Sequence, residues 1–158
     1  MVERPRIPEP PHQGGCLCGK VRYSLATRPI AANACHCNAC KKVTGATNLL
    51  MIGGDRGALR YSGEVQRYRH RADSGREIDI VRCANCGVRL WHEPLSAPGL
   101  VFIAAGTLDD PSWVVPASHI WIERASPGVV FQDDAIKLEG KDVQRDLLFA
   151  AFARLYPA

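Results

Sequence analysis

Long apolar runs are missing from this chain. The two longest, Leu100 to Ala105 and Leu147 to Ala153, fall far short of the roughly 20 residues that a membrane-spanning helix needs, so no membrane partner is expected. A dense block of one charge is missing too. Twenty Lys and Arg against sixteen Asp and Glu leave a net charge of +4, a mild excess that favours small anionic partners without the basic block of a committed nucleic-acid binder. Met1 to Gln13 holds charges and prolines but no apolar stretch of the kind a secretory leader carries, and a cytoplasmic location is expected. No Gly-X-Ser-X-Gly elbow, Walker loop or dinucleotide glycine pattern occurs, which leaves serine hydrolysis, nucleotide hydrolysis and nicotinamide chemistry without support.

What is present is a 158-residue chain, 46% hydrophobic and 23% charged, of a size and balance that suit one soluble domain with a real core. Its informative residue is cysteine. Seven of them cannot all close into intrachain disulfides, and in a reducing compartment such thiols stay free or bind metal. Metal is the expectation.

Three stretches follow one another. Residues 1–13, with Pro5, Pro8, Pro10 and Pro11 among charges, predict an extended flexible arm. From Gly14 to Leu138 the texture is short alternating runs. Val21, Tyr23 and Leu25 place every second side chain on one face, and strands are predicted at Leu49–Ile52, Val65–Arg69, Glu77–Val81, Val88–Trp91 and Leu100–Ala105. Turns are predicted at Gly53-Gly54-Asp55 and Ser62-Gly63. A short helical turn is predicted over Cys37–Val43. Residues 139–158 form the third stretch: Val143, Leu147, Leu148, Ala151, Phe152 and Leu155 recur at helical spacing and predict one amphipathic helix between Gly140 and Tyr156. Closing the core is its expected role, with a contact between copies of the chain as the alternative. The fold class read here is mainly β.

The cysteines are clustered. Cys16 and Cys18 flank one residue, and Cys83 and Cys86 form a Cys-X-X-Cys knuckle before Gly87. Such a knuckle aims two thiolates at one point about 2.3 Å from a zinc ion and leaves two corners of the tetrahedron for another pair. Binding free energy at a four-sulfur site becomes folding free energy. Cys35, Cys37 and Cys40 lie in the run Cys35-His36-Cys37-Asn38-Ala39-Cys40 and can reach a second zinc. If no further side chain arrives, the fourth corner admits water or an external thiol, whose proton is lost near neutral pH beside the cation. If His36, His92 or His119 arrives, the site is closed and structural. Spacing alone leaves both readings open.

These motifs resemble the glutathione-dependent formaldehyde-activating enzyme family. The resemblance rests on Gly15-Cys16-Leu17-Cys18-Gly19, the three-cysteine run with Lys41 and Thr44-Gly45-Ala46 after it, Cys83-Ala84-Asn85-Cys86-Gly87, Ala105-Gly106-Thr107-Leu108-Asp109-Asp110-Pro111 and His119-Ile120-Trp121. It implies a zinc-stapled β-tent fold of paired antiparallel sheets, with the C-terminal helix outside the resemblance. It also implies two zinc ions, one structural on Cys16, Cys18, Cys83 and Cys86, and one with an open position on Cys35, Cys37 and Cys40. The implied activity is that of a carbon–sulfur lyase joining glutathione, or a related thiol, to formaldehyde or another small aldehyde. Lys41, Lys42 and Arg82, adjacent to the cysteine motifs, are candidates to hold glutathione carboxylates. One departure is local: many relatives carry a tryptophan where Ser126-Pro127-Gly128-Val129 stands here. The family also includes centromere protein V, so a zinc-stapled binding module is the alternative function. For that reading Arg67, Tyr68, Arg69, His70, Arg71 and Arg76 are the candidate basic face for nucleic acid.

Overall fold

The computed structural model describes residues 6–131 and 134–158. Of the expected N-terminal arm, residues 1–5 lie outside that range. Its later part is tied down: Ile7 packs on the core, and strand β1 (His12–Gly15) starts with a buried His12 opposite Leu25. Strand therefore begins two residues before Gly14.

Among the described residues the strands form two sheets. The small sheet runs β1, β2 (Arg22–Leu25), β5 (Leu59–Ser62), all antiparallel. The large sheet takes β3 (Ala31–Cys35), β4 (Leu49–Asp55), β6 (Val65–Arg71), β7 (Glu77–Cys83), β8 (Arg89–Pro94), β9 (Leu100–Ala104), β10 (Ser118–Ile120) and β11 (Ile136–Leu138), in the spatial order β11-β10-β3-β4-β9-β8-β7-β6. Pairing is antiparallel except at one edge, where β10 runs parallel to both β3 and β11. The chain reaches β10 by a long connection after β9 instead of a hairpin, and such a crossover permits parallel entry.

Alternation along the strands sets the layers. Val21, Tyr23, Leu25 and Leu59 of the small-sheet region face Ile52, Val81, Trp91, Val101 and Ile103 of the large sheet, and all are buried. The opposite face of the large sheet carries a second apolar cluster of Ala31, Cys35, Leu49, Met51, Phe102 and Ile120, joined by Leu148. The turn expected at Gly53-Gly54-Asp55 is instead the end of β4, paired with β9. The reason is space: a Cβ on Gly53 would stand 3.0 Å from Phe102 and one on Gly54 3.0 Å from Leu25. These glycines let two layers approach a central strand.

Helix α1 (Asn38–Thr44) confirms the turn predicted after the cysteine run. The C-terminal helix is shorter than its pattern: a 3-10 turn at Gly140–Asp142 precedes α2 (Arg145–Leu155). Leu148, Ala151 and Phe152 are its buried face. Tyr156 follows, its hydroxyl receiving the Val115 N–H at 2.7 Å and approaching the carbonyls of Trp113 and Val115 at 3.0 and 2.9 Å. The helix thus closes the core, as the sequence predicts. No helix among the described residues is long and apolar enough to cross a membrane.

Candidate metal and thiol site

Sulfurs converge in two places. Cys16 and Cys18, in the loop that joins β1 to β2, meet Cys83 at the end of β7 and Cys86 in the knuckle before β8, with all four Sγ atoms within 4.8 Å of one another. Cys18 Sγ lies 3.5 Å from that of Cys16 and 3.8 Å from that of Cys83. A tetrahedron with 2.3 Å bonds has edges of about 3.8 Å, so the donor set and its dimensions fit zinc. Backbone N–H groups of Val21 and Cys86 donate to the sulfurs of Cys16 and Cys83 at 3.2 and 3.5 Å, an arrangement that suits thiolates. One pair comes from the small-sheet side and the other from the large sheet, so an ion there would tie the two together.

The second group is Cys35, the last residue of β3, with Cys37 and Cys40 around the start of α1. Cys37 caps the helix, its Sγ accepting the Cys40 N–H at 3.3 Å. Hydrogen bonds among the three thiols, from Cys35 first and then Cys40, hold Cys37 far below the ordinary thiol range, while Cys35 is pushed up by the same bonds and by burial. Among the described residues no imidazole or carboxylate joins these sulfurs. None of the three histidines considered as a fourth ligand is grouped with these sulfurs: His36 Nε2 is 3.1 Å from His119 Nδ1, both rings are buried against Phe131, and His92 Nδ1 faces Arg89. Three sulfurs, with no fourth donor among the described residues, fit a zinc ion with an open corner.

Arg89 is the residue that sequence reading missed. It is 9% exposed, its Nη2 lies against His92 Nδ1 and 3.9 Å from Met51 Sδ, and its buried Nε and Nη1 have no hydrogen-bond partner. Burial lowers its pKa to about 10, with Cys40, Cys35 and Cys37 acting in the other direction, so it stays a cation, and its contact with Met51 puts it on the face whose apolar cluster includes Cys35. An unpaired buried donor costs about 1–3 kcal/mol, and a buried charge more. Strict alternation along β8 would put Arg89 and His92 on opposite faces. A bulge prevents this: Val81 pairs with Trp91 but Arg82 with Arg89, leaving Leu90 as the extra residue, and both side chains turn towards the cysteine face. Because an arginine can only donate, His92 Nδ1 accepts, and burial with the neighbouring Arg89 charge keeps that imidazole neutral.

A cavity of about 450 Å³ is lined by Asp73, Arg76, Trp121, Glu123, Lys141 and Val143 among others. Trp121 and Val143 also pack on the apolar cluster that holds Cys35, as do Cys37 and Cys40. Trp121 has φ 59°, the one positive value at a non-glycine among the described residues, a conformation that costs on the order of 1–3 kcal/mol and gathers at functional sites. It is held there. The Arg124 guanidinium stacks 4.8 Å from its ring, Arg124 is ion-paired with Asp73, and the Gly140 backbone lies so close that a Cβ would stand 2.2 Å from the ring.

The other predicted residues are dispersed. Lys41 Nζ donates to the Arg124 carbonyl at 2.7 Å, Lys42 is exposed on α1, and Arg82 is exposed on β7 next to Cys83, on the four-cysteine side. In the basic stretch of β6, Arg67 pairs with Glu93 and Arg69 with Asp79.

Comparison with known proteins agrees with this geometry. The crystal structure of a Rhodobacter sphaeroides protein aligns with a TM-score of 0.51 at 17% identity, over 80% of this chain and 98% of that one, which shows a shared fold. The family description "Glutathione-dependent formaldehyde-activating enzyme" matches residues 11–124, a span that takes in both cysteine clusters, Arg89 and Trp121. The chain belongs to the glutathione-dependent formaldehyde-activating enzyme family.

Proposed function

We propose that this protein is a carbon–sulfur lyase that joins glutathione, or a closely related thiol, to formaldehyde or another small aldehyde, and splits the same bond in reverse. The observation that carries this reading is the set of three converging sulfurs, joined by no fourth donor among the described residues. Cys35, Cys37 and Cys40 would hold one zinc and Cys16, Cys18, Cys83 and Cys86 the other. Zinc at the three-cysteine site lowers the pKa of a thiol that reaches its open corner.

The chain's own residues supply recognition. Glutathione carries two carboxylates, one ammonium group and short apolar stems. The cavity whose Trp121 and Val143 share the apolar cluster with Cys37 and Cys40 presents both signs of charge: Arg76 and Lys141 suit the carboxylates, Asp73 and Glu123 the ammonium, and Trp121 with Val143 the stems. Lys42, exposed on α1, is a further carboxylate candidate, whereas Lys41 donates to the Arg124 carbonyl and Arg82 is adjacent to Cys83 of the four-cysteine group. Ion pairing of Arg67 and Arg69 within the sheet supports the enzyme reading over a nucleic-acid module. Seven free thiols suit a reducing compartment, and the reading places the protein in the cytoplasm.

The test is calorimetric titration of zinc-replete protein with reduced glutathione, and with S-methylglutathione as the ligand that cannot ionise at sulfur. Saturable binding of the free thiol alone is expected, together with turnover of added formaldehyde. Cys37→Ser is expected to abolish turnover and leave the circular dichroism unchanged. Unaltered turnover in that variant would sink the proposal.

A further inference from the structure

Arg89 has no role in the reading given so far, and its surroundings demand one. Its guanidinium is nine-tenths buried, it makes no ion pair with any carboxylate among the described residues, and two of its nitrogens point into the interior without an acceptor. The nearby thiols attract it without taking a hydrogen bond from Nε or Nη1. The third nitrogen, Nη2, is turned to His92 Nδ1, which fixes the plane of the group. Donors that are desolvated and lack an acceptor, on the sheet face that carries the three-cysteine cluster, are suited to stabilise negative charge that appears during a reaction.

We propose that Arg89 is a catalytic residue: it donates hydrogen bonds to the aldehyde oxygen as that oxygen becomes an alkoxide, with His92 as its positioning residue. The proposal rests on the reading that a thiol adds to an aldehyde at the three-cysteine site. In that step a sulfur lone pair forms the S–C bond, the C=O π pair moves to oxygen, and the negative charge passes from sulfur to an oxygen two bonds away. Arginine stabilises the charge without giving up its own proton. The alkoxide then takes a proton from solvent water, which balances the proton that the thiol released to solvent on ionising. In the reverse direction Arg89 steadies the same alkoxide as the S–C bond breaks. The bulge at Leu90 is what brings this cation to the cysteine face, so the irregularity in β8 gains a function.

The test compares wild type with Arg89→Met, which keeps an unbranched apolar stem without the guanidinium, and Arg89→Lys. With glutathione and formaldehyde, Arg89→Met is expected to lose about 10²–10³ in kcat. Its calorimetric Kd for glutathione and the sulfur-to-cobalt absorption of its cobalt-substituted form are expected to stay at wild-type values, and Arg89→Lys to recover part of the rate. A kcat within threefold of wild type overturns the proposal. So does a parallel loss of glutathione affinity and of the cobalt band, which would make Arg89 a counter-charge of the cluster. Should Arg89→Met not fold, Arg89→Gln is expected to lose at least tenfold in kcat, and full activity in it overturns the proposal. If wild type neither binds glutathione nor turns over formaldehyde, the lyase reading fails by itself. Titration with formate, a one-carbon oxyanion, then decides on Arg89: binding that Arg89→Met abolishes upholds the oxyanion site, and equal or absent binding overturns it.

Discussion

At the scale of single residues, local sequence and local need coincide for the cysteines but not for the groups around them. Cys37 serves at once as helix cap, from its place before α1, and as the thiol that hydrogen bonds from Cys35 and Cys40 hold below the ordinary range. Its position was readable from spacing. Gly140 is the opposite case, since nothing in its neighbours announces that an indole lies flat against its backbone. Its N–H lies 3.1 Å from each carboxylate oxygen of Glu123, and its missing side chain leaves the room that Trp121 fills. Gly140→Ala is therefore expected to push the ring out of place and weaken glutathione binding about tenfold, with little change in kcat. Calorimetric affinity alongside steady-state kinetics checks this, and an unchanged Kd would remove Trp121 from the recognition wall.

Among the elements, β8 carries the most. Its Trp91 is fully buried between the sheets and its Glu93 gathers three donors: Trp91 Nε1 and Arg56 Nε at 2.9 Å each and Arg67 at 3.0 Å. Burial alone would raise the Glu93 carboxyl, but Arg67, Trp91 and Arg56 together hold it below its usual range. A carboxylate lowered in the folded state contributes stability above its unfolded pKa of about 4.3 and loses it as the pH falls through the folded value. Glu93→Gln should then cost about 1–2 kcal/mol at pH 7, with the gap from wild type closing below pH ~4. Urea unfolding at both pH values measures the difference, and a gap that persists in acid would contradict the assignment. Helix α2 was legible from its periodicity, although its first turn was not. The segment before it is drawn into a 3-10 turn across the cavity by Glu123 and Trp121, which no period of apolar residues encodes.

For the molecule as a whole, the four-cysteine cluster joins the small-sheet loop to the end of β7 and the knuckle before β8. Zinc bound there would resist the separation of the two layers, and its affinity counts as folding free energy. Purified protein is expected to contain two zinc ions per chain. A strong chelator should remove the one at the three-cysteine site first, abolishing turnover while the near-ultraviolet signal of Trp91 persists. Loss of the second ion should unfold the chain. Elemental analysis during a chelator titration, with circular dichroism in parallel, follows both steps, and simultaneous loss of metal, activity and fold would refute the division of labour.

What the sequence determined by itself was everything that depends on near neighbours. That includes the sulfur pairs, the alternating strands, the amphipathic helix and the motif order that resembles the family, since each is written in spacings of a few residues. The strands it did not reveal are short or made of small residues, as in Ala31 to Cys35, where burial on both sides replaces alternation. Tertiary structure brought the cysteines together in the groups that the family resemblance implies, and it alone decided that the histidines stay out of those groups and that Gly53 and Gly54 belong to a strand. It alone turned Arg89 towards the thiols. The physical reason is common to these cases: each depends on atoms from strands far apart in the chain competing for one space, and on a bulge that shifts the parity of β8, neither of which a local pattern of residues contains.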